Sequence, residues 1–282
     1  MVKCSICKKE GHRSDNSRFH PKAKITTTEK TNTKAKTKKK KKSSSTTTHT
    51  STIRTRTEVQ SHGFTWETDL LKNVYGTSDM DIASIKYNSK VDLPHTLNRI
   101  GSFDLSIKTT NSQNAVCMAD CLRLYDMIGN DNPTIPIIPF HLVVVFYRQD
   151  DTRNMKVVKN IVEVDLTNAR ELLFGKITRP QIEELVNAIK AVPQKRKPSE
   201  EEYTTMYAIR DKLQPQMGSH AIHLDIKCNS QQSRLQCSFN RFQEFLKENP
   251  SRIVVQSNTC EFRGGKIAPE ISSSRRTFNK SK

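Results

Sequence analysis

The sequence predicts an α/β body with a mixed central sheet flanked by helices, preceded by a small zinc-binding motif and a disordered basic linker. Three observations point there. Charge is segregated: of the net +18 on 282 residues, residues 1–62 carry 17 Lys/Arg against 4 Asp/Glu, residues 263–282 carry 6 against 1, and 63–262 are neutral. Low complexity stops at Gly63, because Pro21 to His62 is mostly Thr, Ser and Lys. Beyond it, helical and strand periodicities alternate. The expected units are therefore 1–20, 21–62, 63–262 and a basic tail, 263–282.

Within the body, apolar positions at Phe64, Trp66, Leu70, Leu71, Val74 and Tyr75, followed by Gly76, predict an amphipathic helix with a glycine stop. Residues 80–87 are expected to form a strand. Residues 102–110 alternate, with Phe103, Leu105 and Ile107 on one face and Asp104, Ser106 and Lys108 on the other, which predicts a half-buried strand. A short strand at 114–117 and a helix at 118–128 follow. After Pro133, Pro136 and Pro139, the run Phe140 to Tyr147 reads as a buried strand, and Lys156 to Leu166 as its hairpin partner. Helices are expected at 168–174, 178–191 and 200–213, then strands at 221–228 and 234–239, a helix at 240–248 and a strand at 252–256, all around one sheet.

Composition narrows the function classes. Mean hydropathy is −0.68, no apolar run reaches 18 residues, and no apolar leader opens the chain, so an intracellular protein with no membrane partner is expected. Seven cysteines then read as thiols or metal ligands. The basic arm, with its run Lys38-Lys39-Lys40-Lys41-Lys42, suits a polyanion through counterion release. The same run is a weak nuclear-localisation signal, and this composition would suit the nucleus or a virus of eukaryotes. The chain has no G-x-G-x-x-G, Walker A or G-x-S-x-G. Cys117, Cys121, Cys228, Cys237 and Cys260 read as core residues, and His95, His141, His220 and His223 as structural or surface ones.

Cys4-x2-Cys7-x4-His12, with Gly11 before the histidine, resembles the zinc knuckle of retroviral nucleocapsid proteins. Two thiolates on a tight turn and an imidazole supply three Zn2+ ligands. The family's fourth ligand would fall at Ser17, and His20 is the nearest substitute. The resemblance implies a structural Zn2+ and contact with nucleic acid.

The strand 102–110 carries a second resemblance. Asp92, 14 residues before Ser106, followed by Ser106-Ile107-Lys108 on a strand and preceded by Glu67 on the first helix, resembles the PD-(D/E)xK restriction-endonuclease-like superfamily. Ser106 stands where that signature has its second carboxylate. The resemblance implies a restriction-like fold and a Mg2+-dependent DNA endonuclease, with Asp92 or Asp104 and Glu67 as metal ligands and Lys108 positioning the water. It also allows a homodimer, since many such nucleases cut both strands as dimers. Carboxylates hold Mg2+ beside the scissile phosphate, and the lysine offsets its charge. A second D-x-K, Asp225-Ile226-Lys227, precedes a strand bearing Arg234 and Gln236, side-chain types that read guanine and adenine edges. The alternative is a non-catalytic nucleic-acid-binding or adaptor protein that works through its zinc knuckle and arm.

Overall fold

A computed structural model describes residues 65–85, 90–130, 134, 136–193, 196–229 and 232–273, all within one compact unit, Arg54–Lys282. The expected zinc ligands Cys4, Cys7, His12 and His20, the run Lys38 to Lys42 and the end of the basic tail lie outside the described residues.

The opening helix (α1) runs through residues 65–69 and continues as a wider π-helical turn at Leu70–Val74. It buries Trp66, Leu70, Leu71 and Val74, the apolar stripe seen in the sequence, and Gly76 follows with a positive φ of 69°. The segment expected as a strand at 80–87 is instead a helix, α2 (Asp79–Ser84). Ser78 caps it, accepting from the Asp81 N–H at 3.1 Å, and Asp79 and Asp81 complement the helix dipole in its first turn. Met80, within the segment expected as a strand, is 84% exposed.

The main sheet is mixed, as expected. Its strands are β1 (Asp104–Thr110), β3 (Phe140–Asp150), β4 (Met155–Asp165), β7 (Ile253–Ser257) and β10 (Glu270–Ser272). β1 runs parallel to β3, with Ser106 beside Leu142 and Lys108 beside Val144, and the β3–β4, β4–β7 and β4–β10 pairs are antiparallel. β3 is buried on both faces. Val143 and Val145 pack with Trp66, Leu70 and Tyr75, whereas Leu142, Val144 and Phe146 face the larger core beneath the helices.

A single sheet is corrected to several. β2 (Val116–Asp120) leaves β1 after a five-residue link and pairs with β6 (Ser233–Phe239), which also pairs with β5 (Ile222–Cys228) in a separate antiparallel sheet. One face of that sheet is apolar (Leu224, Leu235, Cys237, Phe239) and joins the larger core. The helices are α3 (Cys121–Met127), α4 (Arg170–Phe174), α5 (Arg179–Lys190), α6 (Glu200–Leu213) and α7 (Phe242–Glu248). α6 starts at a capping box in which the Ser199 hydroxyl accepts from the Glu202 N–H and the Glu202 carboxylate accepts from the Ser199 N–H. α5 buries Ile182, Leu185, Val186 and Ile189 at helical spacing. No described helix is long and apolar enough to cross a membrane.

The body does not stop at 262. β8 (Glu261–Phe262) and β9 (Gly265–Lys266) form a ribbon turning through Arg263 and Gly264, both at positive φ, and β10 then joins the main sheet. A side chain on Gly265 would meet the Asn73 carbonyl oxygen at 2.2 Å, so only glycine lets the ribbon approach α1 this closely. The Trp66 indole N–H donates to the Ala268 carbonyl (2.8 Å) and the Ala268 N–H to Asp69 Oδ2 (2.8 Å), stitching α1 to this segment. Basic composition hid these contacts: Ile267 is buried and Ile271 packs on the same cluster.

Candidate functional site

Asp92, Ser106 and Lys108, three of the residues singled out in the sequence, come together at the open edge of β1. Leu93 pairs with Leu105 across an antiparallel bridge: the Leu93 N–H donates to the Leu105 carbonyl (3.1 Å) and the Leu105 N–H to the Leu93 carbonyl (2.9 Å). This bridge fixes the preceding residue. Asp92 Oδ2 accepts from the Ile107 backbone N–H (2.6 Å), the Ser106 hydroxyl (2.9 Å) and the Lys108 ammonium (3.1 Å). Lys108 Nζ also donates to the Ile107 carbonyl at 3.0 Å. The lysine is thus held by two acceptors and the carboxylate by three donors, an arrangement that lowers the rotamer freedom of both side chains. Ser106 is nearly buried, while Asp92 and Lys108 keep about a quarter of their side-chain surface open, at 28% and 26%. Asp92 Oδ1 accepts no hydrogen bond from a described residue.

Asp104, the carboxylate on β1 itself, is engaged elsewhere. Asp104 Oδ1 accepts from the His95 N–H (2.7 Å) and lies 2.9 Å from His95 Nδ1, so this carboxylate pins the turn after Pro94. Sharing a strand face with Lys108 does not bring it to the same ligand. Glu67 is half-buried on α1. Among the described residues, no three His, Cys, Asp or Glu side chains come together as a metal cage. The residues present fit Mg2+ in one way only. That ion binds through one or two carboxylates together with substrate phosphates and keeps several waters. Asp92 offers one carboxylate, with the Ser106 hydroxyl alongside.

The polar face of the second sheet flanks the site. The Cys117 thiol, expected in the core, is exposed on β2. Burial by surrounding atoms pushes its pKa up, and the charges of Lys108 and Arg234 pull it back. Arg234 is exposed, but Gln236 is buried, its Oε1 accepting from Arg234 Nη2 (3.4 Å) and its amide nitrogen contacting Cys117 Sγ. That leaves Gln236 no free amide edge for a base. Asp225 pairs with His223 at 3.0 Å, and Lys227 stands opposite Arg234.

A second polar constellation went unread in the sequence. Glu163 on β4 is fully buried beside Val143. Its carboxylate accepts from Arg263 Nε (2.5 Å) and Nη2 (2.9 Å) and from the Tyr75 hydroxyl (3.0 Å), and lies 2.7 Å from His141 Nδ1. Burial alone would raise its pKa; hydrogen bonds from His141 and Arg263 outweigh that and hold the carboxyl below its ordinary range. The signal was available: Glu163 is a lone charge inside the apolar run Ile161 to Val164, a position where an acid must find partners. Its partners close the ribbon and α1 onto the sheet, so the cluster is structural.

No family model, no curated protein and no solved structure matches the chain, so the reading of the site stands on its own geometry.

Proposed function

We propose that the protein is a Mg2+-dependent endonuclease that hydrolyses phosphodiester bonds of DNA, with a restriction-endonuclease-like body centred on Asp92, Ser106 and Lys108. The observation that carries this is the convergence of two side chains and one backbone N–H, from a segment 14 residues on, on one oxygen of the Asp92 carboxylate at 2.6–3.1 Å. An Asp and a Lys on an ordinary solvated strand have no reason to share a hydroxyl and a backbone N–H as well.

Each residue then has a task. Asp92 Oδ2 is immobilised by its three donors, which leaves Oδ1 to face a metal. Bound there, Mg2+ would polarise the phosphate and favour ionisation of a water. Lys108, held by Asp92 and the Ile107 carbonyl, keeps a fixed positive charge where a phosphate oxygen arrives and can orient the attacking water. Ser106 positions Asp92. Because one carboxylate is weaker than two, the metal is expected to bind chiefly together with DNA, whose phosphate completes its shell. The N-terminal arm, through the zinc knuckle and Lys38 to Lys42, adds affinity without sequence preference.

One observation favours the non-catalytic reading, in which the body only binds nucleic acid: Asp92 stands alone as a carboxylate. Incubation of the full chain with plasmid DNA in Mg2+ or EDTA, beside Lys108→Ala, separates the two. Fragments that require Mg2+ and vanish in the variant support the nuclease. Binding without cleavage in the wild type refutes it in favour of the binding protein.

A further inference from the structure

On the face of the main sheet that carries Lys108, the ends of β1 and β3 open into a groove of about 700 Å3, with Phe146 in its lining and α7 along one side. Asn111, three residues beyond Lys108, is at its rim, about 10 Å along the strand. That is about three stacked nucleotides at roughly 3.4 Å each.

Two features of the lining point to a ligand. Arg148, Lys159 and Lys247 all border the groove, no carboxylate does, and none of the three is in an ion pair with a described residue. The rest of the polar lining is mainly amides. Two of these, Gln149 and Asn160, hold side-chain atoms that are buried and unpartnered: Nε2 of Gln149, a donor, and Oδ1 of Asn160, an acceptor. Proteins seldom leave buried polar atoms unsatisfied. Here a donor and an acceptor are left over in the same basic groove.

We propose that the groove holds a single nucleic-acid strand next to the phosphate at Lys108. The three cations neutralise its backbone, and Gln149 Nε2 and Asn160 Oδ1, about three residues apart along the strands, each meet a polar group of it. The inference deepens the nuclease reading and rests on it for the choice of ligand.

The test is binding of fluorescein-labelled ten-residue oligo(dA) and oligo(dT) to the full chain in EDTA, where nothing is cut, between 50 and 200 mM KCl. Arg148 and Lys247 are exposed, so Arg148→Ala/Lys247→Ala retains the fold, which its melting curve checks. Two lost phosphate contacts should flatten the slope of log K against log salt by about 1.4. Binding at 50 mM KCl should fall at least tenfold in the double variant, for oligo(dA) and oligo(dT) alike. An unchanged slope in the double variant overturns the groove. The two readings fail separately: lost binding in the double variant with no Mg2+-dependent cleavage by the wild type leaves the groove standing and removes the nuclease.

Discussion

If Asp92 marks a metal centre that lacks its second carboxylate, replacing the hydroxyl beside it should restore one. In Ser106→Asp the new carboxylate grows from the β-carbon whose hydroxyl is 2.9 Å from Asp92 Oδ2, in a nearly buried position. Two carboxylates about 4 Å apart repel by about 4 kcal/mol at the effective dielectric of a protein surface. Lys108, 3.1 Å from Asp92, offsets part of this. A net loss of about 2 kcal/mol is expected in EDTA, or roughly 4–8 °C in melting temperature for a body of this size. Mg2+ at tenfold its dissociation constant stabilises by about 1.4 kcal/mol, returning roughly 3–6 °C. The wild type, with one carboxylate, should move little. The assay is a pair of melting curves for each protein, in EDTA and in MgCl2. If Ser106→Asp melts with the wild type in EDTA, the two side chains are not neighbours. If Mg2+ shifts both equally, Asp92 is not where it binds.

Two further expectations concern the fold and the arm. Glu163→Gln removes the charge that Arg263 and His141 surround, and should cost about 3–5 kcal/mol near neutral pH. Because the folded carboxyl titrates below the unfolded value of about 4.3, its contribution is complete above that value and is lost as pH falls through the folded one. Denaturant curves of wild type and variant should therefore draw together in acid, and a gap unchanged between pH 7 and pH 3 refutes the assignment. Deletion of residues 1–62, with their 17 basic side chains, should weaken DNA binding at least tenfold and flatten its salt dependence. An unaltered slope, measured by anisotropy, would exclude the arm from binding.

What the sequence disclosed and what it hid have physical causes. The runs in β3 and β1 were legible because burial imposes either a continuous apolar stretch or strict alternation. α2 was misread as a strand because a short mixed segment carries little periodicity, whereas the local capping by Ser78 decided the matter. The ribbon at 261–266 and β10 were missed because charge was averaged over a tail, while Ile267 and Arg263 each make a contact that composition cannot register. Sequence spacing picked out Asp92 and Lys108. It could not choose between Asp92 and Asp104, since that depends on which way a turn carries His95.

The edge position of β1 accounts for that choice. An edge strand exposes unpaired backbone N–H groups, which must be covered or used. Here residues 92 and 93 use them: Leu93 takes the N–H of Leu105, and the Asp92 carboxylate takes that of Ile107, where a neighbouring strand would otherwise place a carbonyl. The side chain therefore completes the ladder and is set to ångström precision by strand pairing. Asp104 precedes the bridge, beyond the point where the chain turns away, and meets the backbone of His95 instead. The carboxylate that continues the sheet is the one that reaches Lys108, so the same hydrogen bond that closes the edge also fixes the proposed centre.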